Sequence, residues 1–148
     1  MNSTVNSDKK TETSLQITES VKEESQLSPE IKNHEYLYRG VVLNNWDLIN
    51  NRISSAAFKD TGGASVDRDG GREESECIKN LLQVKDFKAI CKIKAEIVRS
   101  YGAIILYKPI KSNIFHSEIH DSTERIQMRG SKPDKLRRSS LLVYINKD

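Results

Sequence analysis

The chain has 148 residues, 36% of them hydrophobic and 30% charged, with two cysteines and a formal net charge of +3. That length allows one domain, and no run approaches the roughly 18 apolar residues of a membrane-spanning helix. Cys77 and Cys91, without CxxC spacing, make neither a disulfide framework nor a structural zinc site, so a reduced, cytoplasmic protein is expected.

From Met1 to Asn33 there is no Phe, Tyr, Trp or Cys, and the Val, Leu and Ile residues stand isolated among Ser, Thr, Lys and Glu. Such a segment buries too little apolar surface to offset its ordering entropy. Residues 1–33 therefore read as a disordered acidic tail, and residues 34–148 as a single domain. The tail has no apolar h-region and is not Arg-rich, which argues against a secretory or mitochondrial signal. A segment of this kind can fold on a protein partner.

Tyr36–Val42 is rich in aromatic and β-branched residues and reads as the first strand. Asn44–Asp47 starts with turn chemistry, and Trp46, the single tryptophan, is a core anchor or a pocket wall. Ser54–Arg72 then reads SSAAFKDTGGASVDRDGGR. Between its two Gly-Gly pairs, Ala64–Arg68 has room for one brief strand. Glycine turns alone would make this stretch a hairpin, with Asp69 capping the helix that follows. Its Ser, Asp and Arg residues equally suit a polar loop lining a cleft. It is not a phosphate loop, since it has neither GxxxxGKS/T nor GxGxxG after a strand.

Arg72–Leu82 is expected to be helical, with Cys77, Ile78, Leu81 and Leu82 as its apolar stripe and glutamates in its first turns. Phe87–Lys94 alternates. Phe87, Ala89, Cys91 and Ile93 face one side, and Lys88, Lys92 and Lys94 form a basic outer face. Ala95–Ser100 reads as a short helix that stops at Gly102. Ala103–Tyr107 is apolar enough for a central strand, ended by Pro109, and Ile114–His120 is a further strand. Ser131–Ile145 is expected to be the last helix. Ser131 would cap it, with Pro133 in its first turn, Asp134 at the capping-box position, and Leu136, Ser140, Val143 and Tyr144 on one face. The mixed element order predicts an α+β fold, a small mixed sheet of about four or five strands with two or three helices.

Charge is uneven along the chain. Residues 1–78 hold 9 Lys/Arg against 14 Asp/Glu, and residues 79–148 hold 15 against 7. A basic second half suits a phosphate-facing surface, and it equally suits solvated lysines on exposed faces.

SSAAFKD, the following SVDR, and Pro109 with Asn113-Ile114-Phe115-His116 resemble a family of small bacterial proteins without an assigned function. Those proteins pair an RPSSAAF-D and SVDR segment with a later P…NPxHA segment. The resemblance spans roughly Tyr38 to Leu142, with Ile53 and Ile114 where the family has proline. It implies no chemistry. It does imply that Arg39, Ser54, Ser55, Phe58, Ser65, Asp67, Arg68, Asn113 and His116 act together.

His116, Glu118 and His120 would share one strand face, and two imidazoles with a carboxylate can bind a metal. Successive residues on that face lie nearly 7 Å apart, a poor fit around one ion, and no metal site is assigned. His116 beside Arg39 or Arg68 suits general acid–base chemistry. Arg39, Ser54-Ser55 and Glu118 resemble the Arg–Ser–Glu order of ADP-ribosyltransferases, in a compressed spacing without Ser-Thr-Ser or ExE. That resemblance implies Arg and Ser holding NAD, and Glu supporting transfer. Cys77 and Cys91 read as core.

The sequence thus points to one polar cleft built from Ser54–Arg72, Arg39 and Asn113–His116. His116, Arg39 and Glu118 are its catalytic candidates. Ser54, Ser55, Ser65, Asp67, Arg68 and Asn113 are its ligand-binding candidates. The arginines favour an anionic ligand, a nucleotide or a nucleic-acid backbone. An ADP-ribosyltransferase-like or RNase-like enzyme, and a protein-interaction module using residues 1–33, are the alternatives. No cofactor is named by the sequence.

Overall fold

The YLYRGV stretch forms strand β1 (Tyr36–Val41), and in the computed structural model, which describes residues 27–148, it sits inside the main sheet. Its neighbours are β4 (Ala64–Arg68) and β5 (Ala89–Lys94), both antiparallel to it. β7 (His116–His120) and β6 (Ile104–Tyr107) extend the sheet beyond β4, and β8 (Leu141–Ile145) extends it beyond β5. The six strands run in the order β6-β7-β4-β1-β5-β8. A separate hairpin joins β2 (Trp46–Asp47) to β3 (Arg52–Ile53). Among the described residues three α-helices complete an α+β fold: α1 (Glu74–Val84), α2 (Ala95–Ser100) and α3 (Lys132–Ser139).

Period-2 alternation divides the core between the two faces of the sheet. On one face Leu37, Val41, Val66, Cys91, Ile93 and Ile119 pack with Phe58, Val98 and Leu136. On the other, Tyr38 and Ile90 meet Cys77 and Leu81 of α1. Burial pushes the Cys77 and Cys91 thiols up to about 11, as expected of core cysteines. Among the described residues no helix is long and apolar enough to cross a membrane.

Several expectations change. Residues 1–26 of the expected tail lie outside the described residues, but residues 27–33 pack on the domain. Ile31 is buried in the main core, and Arg99 donates to the Ile31 carbonyl at 2.7 Å. One isoleucine in polar surroundings carries no periodic signal, so the sequence hides this.

The expected last helix stops at Ser139, and Ser131 makes no side-chain cap. Ser140 turns its hydroxyl back to the Leu136 carbonyl at 2.8 Å, and Leu141–Ile145 pairs with β5. The LLVYI run fits a pleated surface, and pairing with β5 outweighs helical periodicity there. β6 lies at the sheet edge, not its centre, and all four of its residues are half-buried.

Phe87 departs from the face of Ala89, Cys91 and Ile93 and packs with the α1 cluster. The basic face of β5 is covered as well. Lys92 pairs with Glu74 at 2.7 Å and lies over the Tyr36 ring, and Lys88 donates to the Asn146 carbonyl at 2.6 Å. Asp69 does not cap α1. Its carboxylate accepts from the Tyr36 and Gly71 N–H groups, each at 2.7 Å.

Arg68 is only 2% exposed, so its charge must be met inside the protein. Glu35 meets it with two hydrogen bonds, Nε to Oε1 at 3.0 Å and Nη2 to Oε2 at 2.6 Å. Nη1 donates to the Ser28 carbonyl at 2.6 Å, and the guanidinium lies over the Tyr107 ring. Burial alone would raise the Glu35 carboxyl. The Arg68 hydrogen bonds and charge, with the Lys32 and Gly70 N–H groups, outweigh that and hold it below its ordinary value.

Removing one partner of a buried pair leaves the other charge uncompensated. Arg68→Ala and Glu35→Gln are each expected to cost about 3–5 kcal/mol in urea unfolding. A lowered carboxylate stabilises above its unfolded value, and that stability disappears as pH falls through the folded value. Thermal melting against pH should therefore show the advantage of wild type over Glu35→Gln shrinking on acidification.

Candidate functional site

β1 and β4 pair only at Leu37–Arg68 and Tyr38–Asp67. Beyond Tyr38 the two strands part, and Arg39 fills the fork. Its Nε and Nη2 donate to the Ala57 carbonyl at 3.0 and 2.7 Å, and Nη1 donates to the Ser65 carbonyl at 2.7 Å. Nη2 also donates to Asp60 Oδ1 at 2.9 Å. The guanidinium thus satisfies the β4 carbonyl of Ser65 at the open fork and ties the fork to the 3₁₀ turn that holds Ala57.

The fork opens a cleft beside the C-terminal end of α1. Two adjoining cavities of about 420 and 430 Å³ share Asp67, Val84, Ser112 and Asn113. Leu81, Val84, Phe87 and Ile110 supply apolar walls, and Ser65, Asp67, Asn113 and His116 supply polar groups. Lys85 and Lys111 stand exposed on its lining. The Phe87 ring lies so close over Gly40 that a Cβ there would fall 2.4 Å from it. Only glycine allows that approach.

Asp67 sits directly across from His116 on the neighbouring strand. Its Oδ1 accepts from Asn113 Nδ2 at 2.9 Å. Burial pushes the Asp67 carboxyl above its ordinary value, and the Asn113 bond and the charges of Arg72 and His116 only partly offset this. The turn before β7 fixes Asn113, whose N–H donates to the Ile110 carbonyl and whose Oδ1 accepts from Phe115 N–H. His116 Nδ1 lies 2.9 Å from the Lys108 carbonyl. A carbonyl only accepts, so Nδ1 carries the proton and Nε2 of the neutral ring is left as an acceptor.

Ser65, Asp67, Asn113 and His116 are therefore gathered in one cleft, and Arg39 forms its closed inner end. The other candidates lie elsewhere. Arg68 points to the opposite face of the sheet, into Glu35. Ser54 and Ser55 line a smaller cavity of about 190 Å³ with Asp47, Arg52, Asp134 and Arg137. Ser54 Oγ accepts from Ala56 N–H at 2.9 Å and caps the 3₁₀ turn Ser55–Phe58.

Glu118 shares the strand face of His116 but accepts from His120 Nε2 at 2.9 Å and Lys108 Nζ at 3.3 Å. Burial would raise its carboxyl, and these bonds bring it below its ordinary value. The His120–Glu118 pair rests over Gly63, where φ is +95° and a Cβ would lie 2.7 Å from the imidazole. Arg39, Ser54 and Glu118 thus do not converge on one cavity. Among the described residues no three His, Cys, Asp or Glu side chains are grouped to hold a metal ion.

Phe87, Lys85 and Lys111 escaped the sequence reading as site residues. Arg72, the end of the Ser54–Arg72 stretch, is not on the lining of either cavity; its guanidinium stacks 3.4 Å from the Phe115 ring centroid and donates to the Asp69 and Arg68 carbonyls. Gly40 inside a β-branched strand was the available signal, since glycine there marks close approach by another group.

No family model, no curated protein and no solved structure matches this chain.

Gly40→Ala is expected to displace the Phe87 ring and cost about 1–3 kcal/mol. In urea unfolding, combining it with Phe87→Leu should recover part of that loss, because residues in contact are not additive.

Proposed function

We propose that the cleft binds a small nucleotide. The supporting observation is the placement, in two adjoining cavities, of an apolar wall, a hydrogen-bonded carboxyl–amide pair and two exposed lysines. A base would lie against Phe87, Leu81 and Val84. Its donors, or those of the ribose, would reach Asp67 and Asn113. The phosphate would meet Lys85 and Lys111. A cavity near 430 Å³ falls within the size range of small-ligand sites.

The same observations favour a mononucleotide or short oligonucleotide over a long backbone. The Lys88 and Lys92 side chains are engaged within the fold, so β5 offers no open basic track. The arginines expected to hold an anion are also engaged, Arg39 in the fork and Arg68 with Glu35.

A ligand bound only by the folded state raises its stability. AMP and ADP are expected to raise the melting temperature of the full chain. Lys85→Ala with Lys111→Ala should weaken their affinity about tenfold or more in calorimetry, given about 1.5–3 kcal/mol for each hydrogen bond to a charged group. Adenosine, lacking the phosphate, should lose little. Absence of stabilisation by any nucleotide would overturn this reading.

A further inference from the structure

We propose that the cleft is also catalytic, with His116 as the base and Asp67 as the acid in cleavage of a ribonucleotide phosphodiester. This rests on the nucleotide reading and adds a reaction to it. The geometry is that of a facing pair. Asp67 and His116 are direct partners across antiparallel strands β4 and β7, and both line the cleft. Direct partners have Cβ atoms about 4.5–5.5 Å apart, so their side chains can flank one phosphate.

Their surroundings assign opposite tasks. The Lys108 carbonyl fixes the proton of His116 on Nδ1 and leaves the Nε2 lone pair to take a proton. Asp67 is buried in the cleft floor with one donor, Asn113, on its Oδ1, and burial favours its protonated form. Arg72 and His116 are the charged groups acting on Asp67. Near His116, the Glu118 carboxylate is tied to His120 and Lys108. A free imidazole lone pair facing a carboxyl whose burial favours its proton supplies the acceptor and the donor that acid–base catalysis needs.

Among the described residues the cleft supplies no activated nucleophile of its own. The imidazole and carboxyl groups around it bond to Lys108, Asn113, Arg39 and one another, and not to the Ser65 or Ser112 hydroxyl. The Cys77 and Cys91 thiols are buried and raised to about 11. A reaction whose substrate carries the nucleophile fits these groups, and RNA does so in its 2′-hydroxyl. His116 Nε2 takes the 2′-hydroxyl proton, and the 2′-oxygen forms a bond to phosphorus. The P–O5′ bond breaks, and Asp67 gives its proton to the departing 5′-oxygen. The products are a 2′,3′-cyclic phosphate and a 5′-hydroxyl. Proton transfer from His116 to Asp67 through solvent restores both groups, and no water, oxidant or reductant is consumed. Lys85 and Lys111 offset the charge that develops on the phosphate.

The test incubates the full chain with the dinucleotide cytidylyl-(3′→5′)-adenosine and follows products by chromatography and ³¹P NMR. The expected result is the cyclic phosphate, a bell-shaped pH–rate profile, and no cleavage of the 2′-deoxy analogue. His116→Ala and Asp67→Asn should each lower the rate about 10²–10⁴-fold. Asp67→Asn should melt no lower than wild type at neutral pH. A raised carboxyl contributes stability only while protonated, and loses it as pH rises through its folded value, so the neutral amide removes a burial cost there. No cleavage with dinucleotide affinity intact would overturn catalysis and leave the binding reading standing. No affinity for any nucleotide would overturn both. Cleavage unchanged in the two variants, or cleavage of the deoxy analogue, would overturn the assignment of these residues.

Discussion

The buried Arg68–Glu35 pair is the constraint on which the cleft depends. Strand alternation ties neighbouring residues to opposite faces, so the burial of Arg68 against Glu35 sends Asp67 to the other face of β4. A one-residue slip of β4 would put an aspartate in the apolar core and an arginine in the cleft. The ion pair also holds the segment before β1, through the Ser28 carbonyl and the Lys32 and Gly70 N–H bonds to Glu35. A pair so buried gains little net stability over apolar packing, but it penalises every register that separates the partners. Here its effect is to specify which side chain of β4 faces the cleft.

The second device is the fork between β1 and β4. An antiparallel sheet closes its backbone ladder unless something else satisfies the freed carbonyls. Arg39 does this for the Ser65 carbonyl of β4, its other donors go to the Ala57 carbonyl in the neighbouring 3₁₀ turn, and Asp60 balances its charge. The strands can then separate without orphaned polar groups, and the space between them becomes the inner end of the cleft. Gly40 follows on the same strand and lets the Phe87 ring press against the backbone. Two consecutive residues of β1 thus provide the polar end and the apolar wall of one cavity.

Much of the fold was legible from period alone. β1, β4, β5, β7 and α2 fall close to where aromatic and β-branched content, glycine boundaries and alternation placed them, although β1, β4 and β5 are covered on both faces. Ser131–Ile145 was not legible, since LLVYI suits a strand or a buried helix until β5 supplies its pairing partner. At the site, Ser65, Asp67, Asn113 and His116, which the sequence grouped, line one cleft. The arginines misled for a physical reason. A sequence shows that a charge exists but not whether a partner 33 positions away, as Glu35 is from Arg68, will bury it. The lysines and Phe87 carry no motif at all, and only the fork brings them to the cleft.

Arg72 shows how the charge balance of the cleft is kept uneven. It lies close enough to Asp67 for its charge to favour the carboxylate, yet the carboxyl remains above its ordinary value. The reason is the way Arg72 is held. Its Nε and Nη2 are fastened to the Asp69 and Arg68 carbonyls, its face rests on Phe115, and its Nη1 is buried without a partner. A guanidinium free to swing could pair with Asp67 and lower its carboxyl. Stacking on Phe115 prevents that pairing, and the unpartnered Nη1 is the cost of keeping the cation in place. The SVDRDGGR segment therefore places two arginines within reach of the strand that carries Asp67, yet neutralises only Glu35. Asp67 is left on the cleft wall with burial favouring its protonated form.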